Sequence, residues 1–269
     1  MNVVILDQAT IWTPERALIL DRIDWRVAAG EHWVVLGPNG AGKSTMLSLI
    51  GADRHPSSGT VTILGETLGR VDMRALRGRI GRVDPALRTL DWLNAREVVL
   101  TGLKNTVWPR WDDWTDADIS QARDLLALVG CADLAEREIG TFSHGERQRV
   151  RIARALIAQP DLMLLDEPAT GLDFPAREAL LTSLDALAKS RPALPTIMVS
   201  HHLEDLPMSV SHVLLLREGR VLAAGPAHEM LTPELISECF GFAIEVHELN
   251  GRWAARAAAG WTVNSAGNL

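Results

Sequence analysis

Short apolar runs alternate along this chain with stretches whose apolar residues recur at helical spacing. His32-Trp33-Val34-Val35-Leu36 is apolar up to Gly37 and predicts a buried strand, as do residues 162–165 and 196–200. Residues 19–27 alternate apolar and polar side chains, the pattern of a half-buried strand. Ile11-Trp12-Thr13-Pro14 reads as a strand end and turn. Ser57-Ser58-Gly59 reads as a turn before a strand at 60–64. Residues 213–216 and 221–223 read as a strand pair around Glu218-Gly219. Helical spacing predicts a helix over 44–50 closed by Gly51, and others over 145–158 and 177–190. A longer helical pattern runs from Asn94 to about Ala135 through Val98, Val99, Leu103, Ile119, Ala122, Leu125, Leu126 and Val129. Strands alternating with helices argue for an α/β fold. The tail from about Asn264 is small and polar and reads as frayed.

Composition narrows this picture. The 269 residues are 47% hydrophobic, enough for one large α/β domain or two small ones. A net charge of −7 argues against broad nucleic-acid binding. Cys131 and Cys239 lie far apart with no metal spacing and read as two buried small hydrophobes in a reducing compartment. The first ten residues lack a basic cluster, so no signal peptide is expected. No apolar run approaches the roughly 18–20 residues that span a bilayer. A soluble protein is expected, and any membrane part must come from another chain. Arg147, Arg149, Arg151 and Arg154 on the 145–158 helix read as a solvated face. Trp108, Trp111 and Trp114 read either as a partner-facing aromatic patch or as a loop pinned by its own tryptophans.

Only Lys43, Lys104 and Lys189 are lysines among the 27 basic residues, and one of these sits in a glycine-rich loop. A tight phosphate pocket needs lysine's compact point charge on a thin stem rather than the wide guanidinium fork. That loop, Gly37-Pro38-Asn39-Gly40-Ala41-Gly42-Lys43-Ser44-Thr45, fits G-x-x-x-x-G-K-[ST] between a buried strand and a helix. Glycines let successive N–H groups turn inward on phosphate oxygens, and the helix presents its positive end to the same anion. Lys43 is assigned to the β and γ phosphates of ATP, Ser44 to Mg²⁺, and Thr45 to the α phosphate. A second constellation ends the 162–165 strand with Asp166-Glu167-Pro168. In a parallel sheet, chemistry gathers at the carboxyl ends of strands. Asp166 is placed to hold the Mg²⁺ shell and Glu167 to polarise the attacking water as general base.

Phe142-Ser143-His144-Gly145-Glu146-Arg147-Gln148-Arg149 precedes the arginine-bearing helix, and here the chain resembles the ATP-binding cassette (ABC) family. That family's signature runs Leu-Ser-Gly-Gly-Gln/Glu followed by Arg-Gln-Arg. Gly171-Leu172-Asp173 resembles its D-loop, Ser200-His201 its switch-histidine motif, and Trp12 is placed like its adenine-stacking aromatic. The resemblance spans residues 3–253. It implies a P-loop, RecA-like core with an antiparallel β subdomain, a helical subdomain inserted at about 84–142, and a C-terminal extension over about 225–269, all in one nucleotide-binding domain. It further implies a homodimer in the ATP-bound state. Ser143, His144, Gly145 and Glu146 of one copy would close the other's phosphate loop, and Asp173 would align the two sites. His201 would contact the γ phosphate and hold the attacking water.

Two positions depart from the family pattern. His144 stands where the first signature glycine is usual. The strand Ile80-Gly81-Arg82-Val83 is followed by Asp84-Pro85-Ala86-Leu87, where the family usually has a glutamine that touches metal or water and senses membrane subunits. Asp84 is a candidate substitute ligand that we do not assign. The expectation is an Mg²⁺-dependent ATPase, cytoplasmic or peripheral at the inner membrane face, serving a separate permease. Residues 231–246 resemble the tails of importer ATPases for iron chelates and cobalamin. The alternative is a stand-alone cytosolic cassette of regulatory or repair type. A module that binds nucleotide without turnover is opposed by Glu167 and His201.

Overall fold

The computed structural model describes residues 1–84 and 89–259. Pro85, Ala86 and Leu87 of the linker and the polar tail from Asn264 lie outside the described residues.

The chain opens with β1 (Asn2–Trp12) and β2 (Leu18–Ala28), then β3 (His32–Leu36) and α1 (Lys43–Ile50). Next come β4 (Ser58–Ile63), β5 (Glu66–Thr67), α2 (Met73–Gly78) and β6 (Ile80–Val83). α3 (Ala95–Leu100), α4 (Asp116–Leu128) and α5 (His144–Leu156) precede β7 (Leu162–Asp166), α6 (Phe174–Ser190) and β8 (Thr196–Ser200). The chain then makes β9 (His212–Arg217), β10 (Arg220–Pro226), α7 (Ala227–Met230), α8 (Pro233–Phe240), β11 (Ile244–Leu249) and β12 (Arg252–Ala257).

Six strands form the central sheet in the order β10-β9-β3-β8-β7-β6, parallel except for β10. Its central strands are apolar along their middles because both faces are covered. Side chains alternate between two cores. Val34, Leu36, Met163, Leu165 and Met198 face one core with α3–α6. Trp33, Val35, Leu162, Leu164, Ile197 and Val199 face the other, shared with α1 and the second sheet. That second sheet is antiparallel, ordered β2-β1-β4-β5.

Several local expectations are corrected. The turn read at 57–59 is partly strand: Ser58 pairs with Thr10 in β4, and a register shift between Asp7 and Thr10 absorbs the glycine. Gly59 has φ +81°, and a side chain there would strike the Gln8 carbonyl. The helical pattern from Asn94 holds two helices, α3 and α4, with a turn at Thr101–Lys104 and the tryptophan loop between them, as the position of the tryptophans beside Pro109 suggests. Asn94 and Thr115 each start a helix with a reciprocal capping box, so the sequence restarts the helix rather than continuing it. The arginines of α5 are only partly a solvated face: Arg147, Arg149 and Arg151 are half-buried. Arg154 is buried, donating from Nε to Thr101 Oγ1 at 3.0 Å and from an Nη to the Thr106 carbonyl at 3.0 Å. Burial pushes its pKa down to about 10. The tryptophan loop is pinned by one of its tryptophans and leaves two others exposed. Trp114 packs on the core, whereas Trp108 and Trp111 are exposed, and Trp111 donates to Glu97 Oε1 at 3.1 Å. Cys131 and Cys239 are buried and free, as expected.

Candidate functional site

Strand register brings the site together. In the parallel ladder Leu36 of β3 pairs with Ser200 of β8, and Asp166 of β7 pairs with Val199. The residues that follow, Gly37, His201 and Glu167, therefore emerge side by side at the carboxyl edge of three adjacent strands. β6 runs beside β7 with Val83 opposite Leu165, which sets Asp84 next to Asp166.

The phosphate loop is shaped by its backbone. Gly37 lies against the Leu216 carbonyl, which a side chain would strike. Gly40 and Gly42 have φ of +80° and +101°, a region that favours glycine. Gly42 also faces Leu20, whose Cδ2 would stand 2.8 Å from an added Cβ. Gly42 begins α1 with no side-chain cap, so the first N–H groups of α1 are left for an anion. Lys43 is buried, and its ammonium donates to the carbonyls of Gly37 and Pro38 at 2.7 and 2.9 Å. Burial pushes its pKa down, and the charges of Glu167 and Asp166 partly offset this. Pro38 is half-buried and Asn39 and Gly40 are exposed; Ala41 is buried and its carbonyl accepts from Gly219 N at 3.1 Å. Ser44 is exposed and Thr45 half-buried on the first turn of α1.

Opposite the loop, Ser44 Oγ lies 3.5 Å from Asp166 Oδ1. Burial raises the Asp166 pKa, and the neighbouring Glu167 and Asp84 carboxylates raise it further. Glu167 sits at φ +42°, a strained conformation for a residue with a side chain. Its N–H donates to the Val199 carbonyl at 3.1 Å, and Thr170 Oγ1 donates to its Oε2 at 3.2 Å. His201 Nδ1 lies 3.3 Å from Glu167 Oε1, near enough for charge contact but not aligned as a hydrogen bond. The histidine loop is braced from below: Ser200 Oγ donates to buried Asp205 Oδ2 at 3.1 Å and accepts from His202 N at 3.1 Å.

Trp12 ends β1 opposite Leu18, two residues from the Leu20 that touches Gly42, and Arg16 lies over its ring at 5.4 Å. The signature residues form a separate group. Ser143 caps α5, its N–H and hydroxyl both donating to Glu146 Oε2 at 2.7 and 2.9 Å. Ser143 and His144 are exposed, and Gly145 is buried against α6, where an added Cβ would stand 2.6 Å from Ala176 Cβ. Asp173 caps α6 through Ala176 N at 3.0 Å. Signature and D-loop segments thus meet at the starts of two packed helices.

Sequence reasoning did not single out Thr170, Asp205 or the hairpin β11–β12. The hairpin carried a signal, because Asn250-Gly251 between two alternating runs is a strong turn dipeptide.

A cavity of about 610 Å³ lies between β6, α2 and the turn after α3, reaching this edge at Asp84. Arg74, Arg77, Arg82, Lys104, Asp53 and Asp84 line it. Arg82 and Asp53 pair across it.

Comparisons with known proteins identify the family and the fold. The family model described as ABC transporter matches residues 20–170. The uncharacterized ABC transporter ATP-binding protein YmeB of Lactococcus lactis is 36% identical, over 90% of this chain and 93% of its own. The hemin import ATP-binding protein HmuV of Nocardia farcinica is 35% identical, over 87% of this chain and 80% of its own. Among solved structures, a dimeric ATP-binding cassette in a post-hydrolysis state with ADP and Pi superposes with a TM-score of 0.70 at 26% identity, covering 83% of this chain and 98% of that one. With the family model matching more than half of its length and relatives of this identity aligned over most of it, the chain belongs to the ABC transporter family and has the fold of its ATP-binding cassettes.

Proposed function

We propose that this chain is the Mg²⁺-dependent, ATP-hydrolysing subunit of an ABC transporter, bound at the cytoplasmic face of a membrane to a separate permease. The observation that carries the reading is the meeting of Lys43, Asp166, Glu167 and His201 at three neighbouring strand ends. Lys43 and the N–H groups of the 37–45 loop hold the phosphates, and Trp12 stacks on adenine. Glu167 takes the proton of the attacking water, and His201 holds that water against the γ phosphate.

The residues fit a magnesium ion that arrives with nucleotide. Ser44 and Asp166 supply two hard oxygens, and the carboxylates crowding Asp166 leave an excess of negative charge. The remaining ligands of such an ion would be phosphates and water. When bound, Mg²⁺ would neutralise charge at the phosphates.

The chain works as one nucleotide-binding unit, its helical subdomain inserted between about residues 84 and 142. It turns over as a homodimer: the exposed Ser143 and His144, with the Gly145 N–H and Glu146 behind them, meet the partner's nucleotide, and Asp173 aligns the pair. No helix among the described residues is long and apolar enough to cross a membrane, and in this reading the permease is a separate chain. The arginine-lined groove beside Asp84 is the surface offered to it.

A stand-alone cassette is the second reading, favoured by Asp84 where the family has glutamine. Phosphate release by the purified chain, with and without membranes from the native host, tests both readings. Turnover that needs Mg²⁺ and rises strongly with membranes supports the transporter subunit. Turnover indifferent to membranes supports the stand-alone cassette, and bound ATP without turnover sinks the hydrolytic reading.

A further inference from the structure

The hairpin β11–β12 folds back across the histidine loop. Its turn is Asn250-Gly251, both at positive φ, and Gly251 rests on Met208. Directly after the turn, Arg252 sends a two-toothed contact to α6: its two Nη groups donate to Glu178 Oε2 and Oε1 at 2.9 and 3.1 Å. One of them also donates to the Glu204 carbonyl at 3.2 Å. Three residues on, the Ala255 N–H donates to Glu204 Oε1 at 3.0 Å. Glu204 lies in the short turn Leu203–Asp205, which follows His201-His202 directly.

The histidine loop is therefore held from two sides. Inside, Ser200 and Asp205 tie it to the sheet. Outside, Arg252 ties it to α6, the helix that Asp173 caps, and Ala255 ties it to the hairpin. His201 stands between these ties, with Glu167 and the His202 ring, 4.1 Å away, beside it. A fork with two parallel contacts fixes direction as well as distance, which one ammonium cannot do.

We infer that Arg252 is a positioning residue for hydrolysis: through Glu204 and Glu178 it sets the angle at which His201 addresses the attacking water, and it locks that angle to the D-loop helix. The inference rests on the reading of His201 given above. Small displacements of a positioned group cost rate far more than affinity.

The test uses the full chain with ATP and Mg²⁺. Arg252→Ala should lower kcat by about tenfold and leave KM for ATP within about twofold. Arg252→Lys should recover only part of the loss. In the folded protein the His201 imidazole NMR signal, assigned by its disappearance in His201→Ala, should shift or broaden in Arg252→Ala, while that of the distant His32 stays in place. If Arg252→Ala does not fold, Glu178→Gln breaks the same fork while keeping the helix, and is read in the same way. A wild-type kcat and an unmoved His201 signal in a folded Arg252 or Glu178 variant, with His201→Ala inactive, would overturn the positioning role alone. A wild-type rate in His201→Ala would overturn the reading on which it rests.

Discussion

Three strand ends make the nucleotide edge, and its geometry is carried by backbone. Gly37 admits the Leu216 carbonyl, Gly40 and Gly42 turn through positive φ, and Glu167 is held at φ +42° by its own chain. The groove between β6, α2 and the turn after α3 is carried by long side chains instead: Arg74, Arg77, Arg82 and Lys104 with Asp53 and Asp84. A phosphoryl transfer needs donors fixed to fractions of an ångström, and backbone groups and side chains buried against backbone, as Lys43 is, hold that. In the transporter reading that groove faces another protein, where charge of the right sign matters more than fixed geometry, and arginines on long stems supply it. The first region should break sharply under small changes, and the second should yield gradually.

The largest break is expected at Glu167. Glu167→Gln keeps the shape and the contact with Thr170 but cannot accept a proton. Hydrolysis should fall by about 10²–10⁴-fold, the range for losing a general base. ATP binding should persist, and ATP should then hold the chain as a dimer on size-exclusion chromatography. A monomer with ATP demonstrably bound would count against the sandwich arrangement. Lys43→Ala comes next. It removes a buried cation that already has two carbonyl partners, and the loss of binding free energy should be about 2–5 kcal/mol. Calorimetry with ATP reads this directly, and unchanged affinity would remove the loop from the site.

Gly145→Ala probes an intermediate case, where backbone packing serves the interface. The new methyl meets Ala176 and forces α5 from α6. The gain in helix propensity offsets part of the clash, leaving a loss of about 1–2 kcal/mol. Thermal unfolding should show it as roughly 2–4 °C per kcal/mol. ATP-driven dimerisation of Glu167→Gln should weaken when this change is added. A variant with unchanged melting and dimerisation would mean that the starts of α5 and α6 tolerate separation.

The two regions also differ in how far the sequence reveals them. Gly37–Thr45, Asp166-Glu167 and Ser200-His201 are legible because each is a short string at the end of an apolar run, and the parallel register brings the three together. Thr170 and Asp205 are not legible, since a threonine or aspartate in a loop carries no pattern until its partner is placed. The burial of Arg154 escapes for a related reason. Helical spacing puts it on a polar stripe, and only the turn at Thr101–Lys104, packed on α5, makes that stripe interior. Arg252 needs contacts to residues 48 and 74 positions away, beyond any local pattern.

The mildest change is the one that joins the two regions. Asp84 stands at the end of β6, lines the groove, and lifts the Asp166 pKa from the side opposite the loop. Asp84→Gln restores the residue type the family usually has near this point and removes one of the two carboxylates crowding Asp166. With that repulsion gone, the Asp166 pKa should fall towards its ordinary value. Because it is the ionised carboxylate that would hold Mg²⁺, the acid limb of the ATPase profile should move to lower pH, and half-saturation by Mg²⁺ below neutrality should improve. The sign for stability agrees. A carboxyl whose folded pKa lies above its unfolded value binds more protons when folded, so stability declines as pH rises through that window, and lowering the folded pKa flattens the decline. ATPase rate against Mg²⁺ at several pH values, with and without native membranes, separates the outcomes. A shifted acid limb without a change in membrane response would make Asp84 a part of the nucleotide edge alone. A membrane response that grows with glutamine in place would show that this position carries the message between groove and strand ends. Unaltered Mg²⁺ and pH profiles would show that the carboxylate of Asp84, for all its nearness, does not reach the metal's side of Asp166.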